Sequence, residues 1–507
     1  MDDAHQAALH ARHNPTTGEC LILRSGSPGV GRQGLRLATL ALAVLLLLAA
    51  CTEGAPADPS AVDRQSVVEP RAAIERVVVI VIDATHAAHL GCYGGPEQLT
   101  PRIDELAERG VRFERAFSNN TWTLPSTVSL LTGQLQEHHG VITNRHRLGS
   151  ELPMLPELFQ RAGWLTGAFV EMIYGSAVFG LDRGFDDYHY YSIKAGAHPL
   201  TMGTAVVGWL EEHRDDRYLL YVHLRRPHSP YDRNLTVQRQ LAPGCPLADG
   251  SQDELLAHAD SKVHDGLEPV QADHVRHLYR GNLGAVDHTV GRLLATLAGD
   301  DHALVLLTSD HGEALGQHGH WGHGHSLDAE CVDIPLIVAG PGVVQGVDPD
   351  PACTVDVMPT LLDLCGVPSP SDLAGRSLAP RLMGEKAGRA PDSGRAGGGA
   401  GVSSEDASAA LQPMAFSSAY RHQRIALQGV ILGDLKLVLD QEGGAQLFDR
   451  RADPGDTRDI SAEHPGAFAR MLSWAESRRD LGATLPLSGV EPFDVNEEQL
   501  RALGYTR

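Results

Sequence analysis

A short apolar segment that ends in an Asp-His pair constrains this chain more than any other feature. The run Ala303-Leu-Val-Leu-Leu-Thr-Ser leads into Asp310-His311-Gly-Glu, and a continuous apolar run of this length is typical of a buried strand in an α/β fold. A second run, Val77-Val-Val-Ile-Val-Ile, ends directly in Asp83. Ligands collect beyond the carboxyl ends of parallel strands, so two carboxylates and an imidazole are predicted to meet there. Divalent metals bind these groups, whereas either Asp alone is equally consistent with a helix cap.

The segment between the two strands supplies a candidate nucleophile. Pro125 suits the first turn of a helix and Gly133 suits its end, which places Thr123 at the helix N-terminus. The backbone N–H groups and the helix dipole favour an anion at that position. A hydroxyl beside a metal can lose its proton and attack phosphorus or sulfur. The alternative is that Thr123 is an ordinary N-cap residue.

A series of short motifs follows in a specific order along most of the chain, from about Ile74 to about Met471. The motifs are Val79-Ile-Val-Ile-Asp83, His89-Leu-Gly-Cys-Tyr-Gly94, Thr100-Pro-Arg-Ile-Asp, Trp122-Thr-Leu-Pro-Ser126, Ser129-Leu-Leu-Thr-Gly133, Pro227-His228-Ser-Pro-Tyr231, Ser309-Asp-His-Gly-Glu313, Gly322-His323-Gly324 and Val355-Asp-Val-Met-Pro-Thr360. Their order and spacing together resemble the sulfatase family of the alkaline-phosphatase superfamily.

The resemblance implies an α/β fold with a mostly parallel sheet sandwiched by helices and a small C-terminal antiparallel sheet subdomain. It also implies roles for individual residues. Asp83, Asp310, His311 and Thr123 would bind the metal, and Thr123 would also occupy the nucleophile position. His228 and His323 would be catalytic residues that face the substrate anion or its leaving oxygen.

The nucleophile segment departs from the family pattern. Family sulfatases carry Cys or Ser there, then Pro two residues later and Arg two later again, a signature that directs oxidation to formylglycine. Here the positions read Thr123, Pro125 and Thr127. Threonine cannot become formylglycine because its Cβ carries a methyl group, so no formylglycine is expected, and the contact of the usual Arg is lost.

The metal positions depart from the pattern as well. Ala84 stands where many sulfatases have a second acid, and the pair Asp310-His311 replaces a common Asp-Asn pair. A directly acting Thr with an Asp-His pair resembles the phosphodiesterase branch of the superfamily. That branch usually has a second metal, whose Asp and His ligands we cannot identify in this sequence. The imidazole of His311 favours zinc or manganese, with calcium possible. Two alternatives remain for His318, His320 and His325: one of them reaches a metal, or all three lie in an exposed loop.

These features predict a metal-dependent hydrolase that acts on small anionic sulfate or phosphate esters by a two-step displacement. Thr123 attacks first, His228 or His323 protonates the leaving oxygen, and water then releases the anion. Phosphate esters are favoured because a sulfo-threonine would lack the elimination route of formylglycine. The alternatives are a sulfatase that works without formylglycine and a non-catalytic sulfatase-like surface binding protein.

The N-terminal residues predict export. An apolar run from Leu37 to Ala50 follows basic residues and ends in Leu48-Ala-Ala-Cys51, which is a secretory signal pattern. The small residues before Cys51 resemble a bacterial lipoprotein box. We therefore expect an exported bacterial lipoprotein in the periplasm or at the cell surface, with a lipid on Cys51 as its membrane anchor. An ordinary signal peptide and an uncleaved anchor are the alternatives.

The amino-acid composition predicts how the chain is divided into parts, and its net charge limits the classes of partner that it can bind. The predicted parts are 1–51 (extension and lipoprotein signal), 52–73 (tether), 74–385 (catalytic domain), 386–411 (disordered Gly/Ala/Ser-rich insertion), 412–480 (C-terminal subdomain) and 481–507 (tail). Short strands are expected at Arg424, Leu435 and Gln446. With 64 acidic and 42 basic residues the net charge is −22, which argues against nucleic acid as a partner.

Overall fold

The computed structural model describes residues 73–191 except 97, 200–231 except 230, 267–385, 414–418, 427–484 except 441, and 490–492. The strands are β1 Arg76–Ile82, β2 Val111–Phe113, β3 Ala116–Phe117, β4 His146–Leu148, β5 Leu165–Val170, β6 Asp187–Tyr190, β7 Tyr218–Leu224, β8 Ala303–Thr308, β9 Ala314–Leu315, β10 Trp321–Gly322, β11 Asp333–Ile334, β12 Leu336–Ala339, β13 Gly346–Asp348, β14 Ala352–Cys353, β15 Met414–Ser418, β16 Leu427–Leu432, β17 Leu435–Asp440, β18 Ala445–Asp449 and β19 Val490–Pro492. The helices are α1 Pro101–Glu108, α2 Thr123–Thr132, α3 Gln136–His139, α4 Leu155–Arg161, α5 Leu200–Glu212, α6 Pro269–Thr296, α7 Ala329–Val332, α8 Val357–Cys365, α9 Ala379–Leu382 and α10 Pro465–Thr484.

The largest sheet has the strand order β13-β2-β12-β8-β1-β7-β5-β6. Strand β1 runs parallel to both β7 and β8, and β5 runs parallel to β6 and β7. Strand β12 is the exception, because it pairs antiparallel with β8 and β2. The prediction of a mostly parallel α/β sheet is therefore confirmed.

Both faces of this sheet are covered, which explains the uninterrupted apolar sequence of its central strands. The odd-numbered valines of β1 belong to a core cluster with Leu124 and Leu130 of α2. Val78, Ile80 and Ile82 of β1 belong to a second cluster with Leu278 and Leu283 of α6. A strand buried on both faces has no solvent side, so it has no alternation of polar and apolar residues. The sandwich by helices is as expected.

The C-terminal subdomain is a small antiparallel sheet of β15, β16, β17 and β18 in that order, with α10 in contact with β16 and β17. The strands expected at Leu435 and Gln446 are β17 and β18. The strand expected at Arg424 falls outside the described residues, as do 386–411, and β16 begins at Leu427. Helix α10 continues to Thr484, four residues past the expected limit at 480, and β19 pairs with β4 of the catalytic domain.

The N-terminal segment with Cys51 also lies outside the described residues. Among the helices that the structure does describe, none combines the length and the apolar character needed to cross a membrane.

Candidate active site

Two neighbouring parallel strands bring the expected metal ligands together. Val81 of β1 is paired in register with Thr308 of β8, so Asp83 and Asp310 follow at the same edge of the sheet. Ligand atoms of Asp83, Asp310 and His311 lie within 4.8 Å of one another, and all three residues are buried. His311 Nε2 is 3.3 Å from Asp83 Oδ1 and 3.6 Å from Asp310 Oδ2.

The unsatisfied oxygens of this cluster fit a divalent cation. Oδ1 of Asp310 accepts hydrogen bonds from the backbone N–H groups of Ala84 (3.2 Å) and His311 (2.8 Å). By contrast, both carboxylate oxygens of Asp83 and Oδ2 of Asp310 are buried without a hydrogen-bond partner among the described residues. Burial, together with the neighbouring Asp310 carboxylate, raises the pKa of Asp83 well above its ordinary value. Buried charges of like sign are costly unless a counter-charge is present, and a cation between them would supply it.

Helix α2 places the Thr123 hydroxyl beside these ligands. The helix starts at Thr123, with Trp122 as its N-cap residue, and ends at Gly133 in the left-handed conformation with φ 63°. Thr123 is thus the first helical residue rather than the N-cap, and its Oγ1 lies 3.4 Å from His311 Nε2. Ser126 Oγ donates a hydrogen bond to the backbone carbonyl of Asp310, which fixes α2 against the end of β8.

His228 and His323 lie next to the same cluster. The ring centroid of His323 is 4.3 Å from that of His311 and 4.8 Å from that of His228. His323 Nδ1 is 3.0 Å from Glu313 Oε2, where it can donate a hydrogen bond, and His228 Nδ1 donates to the backbone carbonyl of Ser229. The structure therefore brings together all six residues expected from the sequence at the catalytic and metal positions.

The remaining histidines of the same loop lie elsewhere. His318 is exposed and contacts Glu330 Oε1 at 3.0 Å. With Asp328 these two residues form a separate group whose ligand atoms lie within 4.8 Å of one another. The rings of His320 and His325 contact each other, with centroids 5.2 Å apart. In the described part of the chain, none of these three histidines belongs to the group around Asp83.

Burial sets the charge of two site histidines. It lowers the pKa of His311 to about 4, and it lowers the pKa of His228 well below its ordinary value, with His323 and Arg225 acting in the same direction. Both rings are neutral near pH 7. A neutral His311 has a lone pair for a metal, and a neutral His228 with its Nδ1–H donated to Ser229 has an acceptor at Nε2.

Three further residues near the site were not expected from the sequence. His223 lies on β7, with its Nε2 3.5 Å from Asp310 Oδ2, and Glu313 is the partner of His323. Arg225 follows β7, and its backbone N–H donates to Glu171 Oε2 at 3.0 Å. A signal existed for the first, because β7 is another apolar run that ends near a histidine. Glu313 is part of the Ser309-Asp-His-Gly-Glu313 motif, but the sequence suggested no role for it.

Comparison with known proteins places this geometry in a family. The family model described as "Sulfatase" matches residues 75–367. An N-acetylglucosamine-6-O-sulfatase of Bacteroides thetaiotaomicron is 24% identical over 400 residues, which cover 61% of this chain and 71% of the relative. The uncharacterized sulfatase YidJ of Escherichia coli is 25% identical over 434 residues, 75% of this chain and 82% of the relative.

The fold agrees with solved structures of this kind. A phosphonate monoester hydrolase of Agrobacterium radiobacter superposes with a TM-score of 0.60 at 19% identity, over 84% of this chain and 100% of that chain. The family model covers more than half of the 507 residues. The chain therefore belongs to the sulfatase family of hydrolases.

Proposed function

We propose that the chain is a metal-dependent hydrolase of small anionic phosphate or sulfate esters, with Thr123 as the nucleophile and phosphoesters preferred. One observation carries this proposal: the Thr123 hydroxyl lies 3.4 Å from His311 Nε2, at the start of a helix and beside carboxylate oxygens that have no hydrogen-bond partner within the described residues. The nucleophile therefore lies next to both the anion-binding start of the helix and the metal-binding cluster.

In the first step Thr123 Oγ1 gives up its proton to solvent water and forms a bond to the central phosphorus or sulfur atom, while the bond from that atom to the leaving oxygen breaks. Asp83, Asp310 and His311 would hold the divalent cation. When bound, the cation lowers the pKa of the hydroxyl and offsets charge on the non-bridging oxygens. The N–H groups at the start of α2 stabilise the same oxygens.

His323 is the better candidate for the proton donor to the leaving oxygen. Its Nδ1 faces the Glu313 carboxylate at 3.0 Å, and a carboxylate partner stabilises a positively charged ring. His228 is neutral because of its burial, so it lacks a proton to give at Nε2. In the second step water attacks the central atom, and the bond from that atom to Thr123 Oγ1 breaks. The neutral Nε2 of His228 can accept a proton from the attacking water, and the released Thr123 oxygen takes up a proton from solvent.

The preference for phosphorus esters rests on the residue at position 123. A threonine ester has no elimination route, so water must attack the central atom directly. The likeness to a phosphonate monoester hydrolase supports phosphorus chemistry on this fold, whereas the N-acetylglucosamine-6-O-sulfatase relative supports sulfate esters. The cation is expected to be zinc or manganese rather than calcium, because His311 supplies a nitrogen ligand.

Metal removal and an ester panel test the proposal. Treatment of the purified full-length protein with a chelator is expected to lower turnover by at least about a hundredfold. Zinc or manganese should restore more activity than calcium. Nitrophenyl phosphate, a nitrophenyl phosphodiester, a nitrophenyl phosphonate and nitrophenyl sulfate are compared in each form, and the phosphorus esters should be turned over fastest.

Other outcomes would change the assignment. Turnover of the sulfate alone would favour a sulfatase that works without formylglycine. No turnover of any ester with any metal would favour a non-catalytic surface binding protein on the sulfatase fold. Export and lipidation at Cys51 stay predictions from the sequence, because that residue lies outside the described part of the chain.

The role of His323 gives a second prediction. A proton donor matters most when the leaving oxygen is strongly basic, because a nitrophenolate leaves readily without a proton. We expect His323→Ala and Glu313→Gln to lower turnover of a methyl ester by about a hundredfold or more. Turnover of the nitrophenyl ester should fall much less. Equal losses for both esters in both variants would contradict this role.

A further inference from the structure

His223 lies directly beneath the proposed metal site. It is fully buried and is paired in register with Val81 of β1, two residues before Asp83. Its Nε2 faces Asp310 Oδ2 at 3.5 Å. Both atoms are buried, and neither has a hydrogen-bond partner at normal distance within the described residues. A buried histidine nitrogen thus points at the one oxygen of Asp310 that the backbone leaves unpaired.

Tyr221 contacts the other ring nitrogen of His223. Tyr221 Oη is 3.1 Å from His223 Nδ1. Burial, with the Asp310 carboxylate adding to it, raises the pKa of Tyr221 well above its ordinary value, so the phenol keeps its proton. If the phenol donates to Nδ1, that nitrogen is the acceptor of the ring, so the ring carries its N–H at Nε2, which faces Asp310. The other tautomer would turn a lone pair towards a carboxylate oxygen, which is repulsive.

We propose that His223 is a positioning residue of the metal site, which directs Asp310 Oδ2 towards the cation through an Nε2–H donor oriented by Tyr221. Oδ1 of the same carboxylate is already held by two backbone N–H groups, those of Ala84 and His311. With His223 at Oδ2, the carboxylate is fixed at both oxygens. This inference rests on the metal site of the proposed function.

His223 acts through Asp310 rather than as a further ligand. The ligand atoms of Asp83, Asp310 and His311 lie within 4.8 Å of one another, and His223 is not part of that group. Residues that hydrogen-bond to the ligands of a metal orient those ligands and tune the basicity of the ligand atoms. Loss of such a residue typically lowers metal affinity by about 10- to 100-fold.

Metal affinity of the full-length protein tests the proposal independently of hydrolysis. Zinc affinity is measured by competition with a chromophoric chelator, and metal content by elemental analysis. His223→Leu keeps an apolar side chain of similar bulk but removes the donor, and we expect a loss of about 10- to 100-fold. His223→Gln keeps an N–H near the position of Nε2 and should stay within about fivefold of wild type. Tyr221→Phe should lie between the two. His139→Leu is the matched control, because it removes a buried histidine whose ring contacts Ser129 Oγ and the Val141 N–H, each at 3.1 Å, rather than a metal ligand.

Each of these affinities supports or overturns the role of His223. An affinity of His223→Leu within twofold of wild type would overturn the proposal, as would an equal loss in His223→Gln, which would indicate a packing role. If His223→Leu fails to fold in a thermal scan of the metal-free protein, Tyr221→Phe carries the test, and an unchanged affinity there overturns the proposal. A wild-type protein that binds no zinc overturns this inference and the proposed metal site together. Zinc binding without hydrolysis would contradict the proposed function alone.

Discussion

Replacement of Thr123 by alanine is expected to lower the turnover of the best ester substrate by at least about a thousandfold. Without the hydroxyl, no covalent ester can form at the start of α2, and the reaction would depend on direct attack by water. The N–H groups of the helix and three metal ligands remain, so substrate binding and most of the zinc affinity should be retained. Turnover number, KM and zinc content of the purified protein are the quantities to measure.

Two further variants make this experiment specific. Thr123→Ser keeps a hydroxyl at the same place and should retain measurable turnover. Thr132→Val is the matched control, because Thr132 is a buried threonine at the other end of the same helix, where its Oγ1 donates a hydrogen bond to the Val128 backbone carbonyl at 2.7 Å. Its activity should stay near that of wild type. If Thr123→Ala keeps more than a tenth of wild-type turnover, the nucleophile lies elsewhere.

The second large effect concerns stability rather than chemistry. Lys436 of β17 is fully buried, and its Nζ donates to the backbone carbonyl of Leu327 and to Asp456 Oδ2 (2.5 Å). Arg450 Nη1 donates to the same Asp456 oxygen at 2.7 Å, and its Nη2 donates to Asp333. This buried ion network joins the C-terminal sheet to the segment of the catalytic domain that follows the histidine-rich loop.

Lys436→Met is expected to lower the free energy of unfolding by about 3–5 kcal/mol, the usual cost of removing one partner from a buried ion network. The cost arises because Asp456 stays buried with only part of its counter-charge. Arg451→Ala is the control, since its side chain is 82% exposed and 3.6 Å from Asp434, and it should cost no more than about 1 kcal/mol. Chemical denaturation compares the two, and a loss below 1 kcal/mol in Lys436→Met would contradict the prediction.

The central part of the fold was predictable because its sequence pattern is local. A strand covered on both faces must be apolar throughout, so β1 and β8 were recognisable without any partner. The polar residues that end such strands were recognisable for the same reason, and the Pro125 to Gly133 segment carried its own helix start and stop signals. The C-terminal strands β17 and β18 were marked by short apolar runs, whereas the end of α10 was not, since helix ends depend on packing as well as on local sequence.

The residues at the edge of the sheet follow from local sequence patterns: Asp83, Asp310 and His311 come after two buried strands, and Thr123 stands at the start of a helix. The neighbours that support these residues are known from the folded structure. The contacts of Tyr221 with His223, of His223 with Asp310, of Glu313 with His323 and of Lys436 with Asp456 depend on strand register, loop path and side-chain direction. Strand and helix patterns repeat along the chain and can be identified from it, whereas these side-chain contacts are specified by packing in three dimensions.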